Sequence, residues 1–491
     1  MYLKRVLFIS LILCMSVASA QQQFVFNDFF ENSTMRIDYC HFGNTEEESI
    51  SVDHIYKSGK WAGNPKSCID QFNNGAYYIK VYDVATNKLI FSKGFNSYFG
   101  EYVTTDPAIK GEKRVYFETA LIPWPKSSVR FVIEKRGRDY FYYPLFVKKI
   151  DPSDYHIINE KIPDNVKLFK SLNNGDPHKK VDITIIAEGY TKEEYQKFVN
   201  DVKKYTKLFF TIEPYKDYRK AFNVTGAFIP STDSGVDEPT KGVYKNSAVD
   251  ASFNAFDTPR YLLTENLWAC HDIAAAVPTD IIIIMVNSGR YGGGGIYNFY
   301  SISTIDNKLS DHVFLHEFGH AFAGLADEYY SSQVAYSDFY PKGIEPQEPN
   351  ITALLNPKTL KWRQYLSKGI DVPTDWGKEK REALSAEIRT IYKEMKQKLD
   401  SLEKAGASKD EISEVKKSYN QKIADKREEL NQVIQKYRYL EGKVGAFEGA
   451  GYSSTGLYRP SMDCLMKSNK GMKFCKVCQK AIERMIIYYT K

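Results

Sequence analysis

His316-Glu317-Phe318-Gly319-His320-Ala321-Phe322-Ala323-Gly324-Leu325-Ala326-Asp327-Glu328-Tyr329 is the stretch from which the rest of the chain is read. Leu309 to Ala323 can form one helix, because Phe314, Phe318 and Phe322 recur every four residues and bury one side. On a different face His316 and His320 stand one turn apart. That spacing lets two imidazoles reach one zinc ion at about 2.0 to 2.1 Å. Glu317 lies about 100° round the helix from His316, so it misses the ion and faces a water held there. The pattern predicts one catalytic zinc ion, with Glu317 as the base that takes a proton from water and returns it to a leaving amine. Coincidence is a poor account, since this composition yields H-E-x-x-H in roughly one chain in a hundred. His312, one turn before His316, reads as packing or support for the ligands.

A third ligand is required, with the fourth position left for water. In one layout it is a glutamate some twenty residues on, but Glu345 and Glu348 sit in a proline-punctuated loop. In the other the helix stops at Gly324, which tolerates positive φ, and the chain turns back at once. Asp327 is then the nearest group in reach, with Glu328 the next.

Outward from the motif, the chain from about Val166 onward alternates strands and helices. Val181 to Ala187 reads as a strand, Thr191 as an N-cap, Lys192 to Thr211 as an amphipathic helix, and Phe222 to Ile229 and Ile281 to Val286 as further strands. From Phe24 to about Ile150 the texture is short alternating runs broken by turns. Tyr77 to Tyr82 is followed by Leu89 to Phe91, and Val129 to Ile133 by Tyr140 to Tyr143, as in antiparallel hairpins. The fold class expected is α+β and multidomain: an antiparallel β-sandwich over 21–155, then a metallopeptidase domain over 165–491. Residues 376–440, dense in Lys and Glu, carry apolar residues at threes and fours on both sides of Ala405-Gly406-Ala407. They predict an antiparallel helical hairpin inserted in the second domain, its charges solvated.

Lys4 and Arg5, the apolar run Val6 to Val17 and Ala18-Ser19-Ala20 predict a signal peptide over 1–20, and hence a secreted, periplasmic or cell-surface protein. No later run is long enough for a membrane span. The formal charge of +6 falls to +4 without Lys4 and Arg5, and its even distribution gives no reason to expect nucleic acid as a partner. Six cysteines remain after residue 20: Cys40, Cys68, Cys270, Cys464, Cys475 and Cys478. An exported chain can pair them, but the sequence does not choose among the pairings. Cys475 and Cys478 form a C-x-x-C without a second close pair, which favours structural thiols over a redox or zinc site.

The strand and helix order, the glycine-ended motif helix and a later methionine turn resemble the metzincin type of zinc peptidase. There is one departure, because Gly324 and Asp327 lie four and seven residues after the second histidine rather than three and six. The fuller resemblance is to the bacterial immunoglobulin A metallopeptidase family. It is carried by His316 to Tyr329, Val444-Gly445-Ala446-Phe447-Glu448-Gly449-Ala450-Gly451-Tyr452, Gly456 to Pro460, Asp463-Cys464-Leu465-Met466 and Phe474 to Cys478. It spans about 165 to 491, with a family-type amino-terminal β-domain before it. The resemblance implies Asp327 as third ligand, Met466 as the methionine packed beneath the metal, and Tyr458 and Arg459 as candidates to stabilise an oxyanion. It also implies a protein or peptide substrate. Arg290-Tyr291-Gly292-Gly293-Gly294-Gly295-Ile296-Tyr297 lies where such peptidases keep the sheet edge that pairs with an extended peptide; a surface loop is the other reading. The competing function is an exported binding protein for host protein or glycan whose zinc site is structural or inactive. Glu317 speaks against it, since a purely structural site has no use for a base.

Overall fold

Period-two alternation organises the first part of the chain. In the computed structural model, which describes residues 25–330 and 339–491, it forms strands β1 (Phe30–Gly43), β2 (Glu48–Ser58), β3 (Tyr77–Asp83), β4 (Leu89–Phe95), β5 (Arg114–Pro125), β6 (Val129–Arg136), β7 (Tyr142–Ile150) and β8 (Ile158–Asn159). The signal peptide expected over 1–20 lies outside the described residues. Hydrogen bonding gives two four-stranded sheets, ordered β5-β1-β2-β8 and β4-β3-β6-β7. Pairing is antiparallel except between β2 and β8. Ile37 and Tyr39 of β1, Ile79 and Val81 of β3, and Phe131 and Ile133 of β6 share one core. Burying each is worth roughly 1.5 to 3 kcal/mol, and a one-residue slip would turn a whole set outward, so the core fixes the register. The β6 and β7 hairpin differs in one respect from the sequence reading. Its second strand starts at Tyr142 and runs to Ile150, because the Gly137 N–H bonded to the Phe141 carbonyl closes a longer turn.

The second region is built on a six-stranded mixed sheet. Its strands are β9 (Lys167–Leu172), β10 (Val181–Glu188) and β11 (Phe222–Phe228), then, after the short pair β12 (Ser252–Phe253) and β13 (Leu262–Leu263), β14 (Ile281–Val286), β15 (Gly293–Ile296) and β16 (Tyr300–Thr304). The order is β15-β16-β14-β10-β11-β9, with the four inner strands parallel and both edge strands antiparallel. β10 and β14 are buried along their whole length, which explains the unbroken apolar run of Ile281–Val286. One face packs on helix Tyr195–Phe209, the motif helix Ser310–Ala323 and the C-terminal helix Lys476–Thr490. Thr191 and Glu194 form a capping box, but the first turn, Lys192–Glu194, is a 3-10 turn.

The other face is covered by helix Leu267–Ala274 and by aromatic residues of the first region. Tyr98, Phe99, Tyr102 and Tyr116 share a core with Ile282 and Ile284 of β14. Polar contacts add to this seam: Arg36 donates to Asp272 at 2.6 Å and to the Trp268 carbonyl at 3.2 Å, and Asn96 N–H donates to the Tyr297 carbonyl at 2.9 Å. The amino-terminal sheets are thus bonded to the layer that carries the motif helix.

Two long helices, Lys378–Lys404 and Lys409–Lys436, leave the second region and lie side by side, with Ser408 Oγ accepting from Glu411 N–H at the start of the second. Lys426 pairs with Glu387 and Arg427 donates to Tyr392 across them. Their root is an apolar cluster of Trp376, Leu440 and Phe447, and the charged lengths face solvent. The chain then returns through β17 (Phe447–Ala450) and β18 (Ser453–Arg459), a two-stranded pair. Among the described residues no helix is long and apolar enough to cross a membrane, and no disulfide joins the six described cysteines.

Candidate metal centre and cleft

The motif helix ends because Gly324 adopts φ 59°, where its N–H bonds to the His320 carbonyl and the Leu325 N–H reaches the Gly319 carbonyl. The chain doubles back, and the Asn350 side chain fixes the return by bonding both the N–H and the carbonyl of Ala326, at 2.7 and 2.9 Å. Asp327 Oδ1 therefore lies 2.9 Å from His316 Nε2 and 3.4 Å from His320 Nε2, and the two nitrogens are 3.1 Å apart. Three ligands on a tetrahedral ion at about 2.0 to 2.2 Å stand about 3.3 to 3.5 Å from one another, close to this triangle. Apart from these two imidazole contacts, Oδ1 is buried without a hydrogen-bond partner among the described residues, as expected of a lone pair aimed at a shared cation. The residues present fit a metal ion.

Neighbouring carbonyls set the rings. His316 Nδ1 is 3.1 Å from the Leu465 carbonyl and His320 Nδ1 is 2.5 Å from the Leu325 carbonyl. A carbonyl only accepts, so each Nδ1 carries a proton, and each Nε2, facing Asp327, is the nitrogen left to meet a metal ion or a proton. His312 Nε2 shares the Leu465 carbonyl at 3.0 Å, which makes His312 a brace for the turn rather than a ligand. Burial works to lower the pKa of His320, but the Asp327 carboxylate outweighs it and holds it at about 9. The potential that draws a proton here also draws a cation. Tyr452 donates to Asp327 Oδ2 at 2.5 Å and so aims the other oxygen at the rings.

Met466 is fully buried, and a Cβ added at Gly319 would sit 3.0 Å from its sulfur. Gly319 lies between the two histidines, so its missing side chain is what admits the thioether under the helix.

A cleft of about 880 Å³, counted to its open mouth, runs past this cluster. Glu317 lies half-buried in its wall, and burial raises its carboxyl above the usual range against the pull of both imidazoles. Arg260, Tyr329 and Tyr340 also line it, and Arg260 interacts with Tyr329 and Asp327. One wall is the edge strand β15. Asn74, Gly75, Asn96 and Glu101 from the amino-terminal region line the cleft as well, so it lies between the two regions.

Residues 169–486 match the family described as IgA Peptidase M64, and residues 25–146 match Peptidase M64 N-terminus. The chain belongs to the IgA peptidase M64 family. Membership indicates a peptidase acting on protein and implies a metal. No curated protein matches the chain.

Within this M64 chain the structure brings His316, Glu317, His320 and Asp327 together and places Met466 beneath them. Glu328 points elsewhere: its Oε1 lies 3.1 Å from Cys478 Sγ. Of the two later glutamates, Glu348 lines the cleft and Glu345 pairs with Lys361. Tyr458 and Arg459 are not brought to the cleft. Tyr458 pairs through its backbone with Thr352, while Arg459 is fully buried and donates to the carbonyls of Glu448, Gly449 and Ser461. β18 carries the pair away from the metal cluster, and alternation along a strand cannot tell which neighbour it will face. Sequence reading gave no role to Arg260 or Tyr452. Arg260 follows a proline in an irregular segment, and Tyr452 reaches Asp327 across 125 positions, so neither gives a local signal.

Proposed function

We propose that this M64 peptidase is an exported, zinc-dependent endopeptidase that uses Glu317 as its general base. The convergence of His316 Nε2, His320 Nε2 and Asp327 Oδ1 beside Glu317 carries the proposal. Zinc bound there supplies a water with its pKa lowered towards ~7 and a Lewis acid for the substrate carbonyl. Glu317 accepts the water proton and delivers it to the departing amine; the raised affinity of its carboxyl for protons suits both halves of that task. Arg260 and Tyr329, which line the cleft where Tyr458 and Arg459 do not, supply the donors for the developing oxyanion.

An extended peptide pairs along β15, beyond Tyr261, which bridges Gly293, and before Asn96, which occupies the Tyr297 carbonyl. The amino-terminal region, spanning 21–155, forms the opposite lip and helps to position substrate, while 165–491 carries the chemistry. The leader over 1–20 directs export.

The test is Glu317→Gln, which preserves shape and removes the base. Metal analysis should show zinc retained, and digestion of a proteome-derived peptide library should show cleavage lost by at least about 10²-fold. Cleavage at the parent rate sinks the mechanism, and a parent protein without zinc sinks the site.

A further inference from the structure

A second cluster of metal-binding side chains lies behind the first. Glu328, Cys464, Cys475 and Cys478 are all buried, and each offers one donor atom such that all four atoms lie within 4.8 Å of one another. Cys464 Sγ and Cys478 Sγ are 3.7 Å apart, and Glu328 Oε1 is 3.1 Å from Cys478 Sγ and 3.9 Å from Cys475 Sγ. A disulfide needs about 2.05 Å between its sulfurs. A tetrahedral zinc with bonds of about 2.3 Å to sulfur and about 2.0 to 2.2 Å to oxygen spaces its sulfurs about 3.8 Å apart, and sulfur from oxygen about 3.5 Å. The cluster has the second set of spacings.

Three further observations point to a cation. The side chain of Glu328 is fully buried, and its Oε2 has no hydrogen-bond partner among the described residues, which is costly for a carboxylate unless another charge meets it. The Cys475 N–H donates to Cys464 Sγ at 3.2 Å, a contact that stabilises a thiolate. Cys475 is the N-cap of the fifteen-residue helix Lys476–Thr490 and Cys478 lies in its first turn, where the helix field favours anionic sulfur. Arg459, buried and near enough to Glu328 for their charges to interact, offsets excess negative charge. That gives Arg459 a role away from the cleft.

We infer that Glu328, Cys464, Cys475 and Cys478 form a second site, structural rather than catalytic, for a thiophilic divalent cation, with zinc the preferred ion. Binding displaces the three thiol protons to solvent and forms three metal–sulfur bonds and one metal–oxygen bond, with no change of oxidation state. All four positions are taken by protein, so no place is left for water, which separates this site from the first. The ion ties together the parts that build the catalytic floor. Glu328 follows Asp327 directly and its N–H bonds the Met466 carbonyl, Cys464 lies two residues before Met466, and Cys475 and Cys478 anchor the last helix.

The experiment uses the full chain, loaded with zinc under reducing conditions and dialysed. Metal analysis is expected to give two zinc ions per chain in the parent, and one in a His316→Ala, His320→Ala double variant, whose changes leave the thiol cluster intact. Cobalt loaded into that double variant should show strong near-ultraviolet thiolate-to-metal absorption, and adding Cys478→Ser should abolish it. A double variant that binds no metal, or cobalt without thiolate absorption, overturns the inference. So does a disulfide between any two of the three cysteines in the parent as purified without reductant, located by alkylating the denatured chain and mapping its peptides.

Discussion

Replacing Gly295 by alanine separates two explanations of the glycine run. If the glycines serve only to let a substrate backbone approach, the folded protein should tolerate a methyl group. The structure predicts otherwise. Gly295 has no positive φ, so alanine suits the backbone, but its Cβ would lie 2.9 Å from the Cβ of His320 and 3.0 Å from the carbonyl carbon of Glu317, and would overlap the Glu317 carbonyl oxygen. Ordinary contacts begin near 3.4 Å, and the atoms met first are helix backbone that no rotamer can move aside. Strand and helix must separate by roughly half to one ångström, at the turn bearing both the proposed base and a proposed ligand. Overpacking of this kind costs about 1 to 3 kcal/mol, or roughly 2 to 4 °C in Tm for each kcal/mol in a domain of this class. A misplacement near 1 Å costs about 10²-fold in rate. Thermal unfolding and kcat/KM on a library-derived peptide are the assays, with Gly289→Ala as control, where the nearest atom is 4.0 Å away. Unchanged Tm with a raised KM alone would refute the packing argument and restore the substrate-approach reading.

Three further outcomes are expected. Asp327→Ala should reduce catalytic-site zinc, read by metal analysis; full occupancy would transfer the third-ligand role elsewhere. Tyr452→Phe removes the 2.5 Å bond that aims Asp327 and should weaken metal affinity by about 10- to 100-fold in a chelator competition, while parent-like affinity would show that the phenol only packs. In the amino-terminal region, burial works to lower the pKa of His41, but Glu118 at 3.0 Å and Glu48 at 2.8 Å outweigh it and raise it from 6.5 to about 8. A raised folded-state pKa stabilises fully below pH 6.5 and loses that contribution as pH rises through about 8, some 2 kcal/mol in all. Urea unfolding at about pH 6 and about pH 9 should show this loss in the parent and not in His41→Gln; equal slopes in the two would contradict it.

The motif helix was legible because everything that defines it is local: a four-residue phenylalanine repeat, two histidines one turn apart and a glycine where the helix must stop. The strands β10 and β14 were legible for a related reason, since burial on both faces leaves an unbroken apolar run. The edge strand β15 was less so. Four glycines carry no side-chain pattern, and whether such a run is strand or loop depends on β16 beside it and the helix against it. Tyr452 and Arg260 were out of reach because they act across long stretches of sequence.

The cysteines show a sharper limit. Cys475-x-x-Cys478 gave reason to look for a second close pair of thiols, and its absence argued against zinc. What the fold brings to that pair is one cysteine from the methionine turn and one carboxylate from the residue after Asp327. Asp327 and Glu328 are adjacent acids, and either could be drawn to the histidines on sequence alone. Fixing Ala326 with Asn350 and the Glu328 N–H with the Met466 carbonyl decides both at once, because the two successive side chains then leave the return on different sides: Asp327 faces His316 and His320, and Glu328 faces the thiols. The return after the second histidine therefore does more than deliver Asp327 to the histidines. It puts the methionine turn between two clusters that share a backbone link, so loosening the thiol cluster should displace Asp327, whereas removing the histidines should leave the thiols in place.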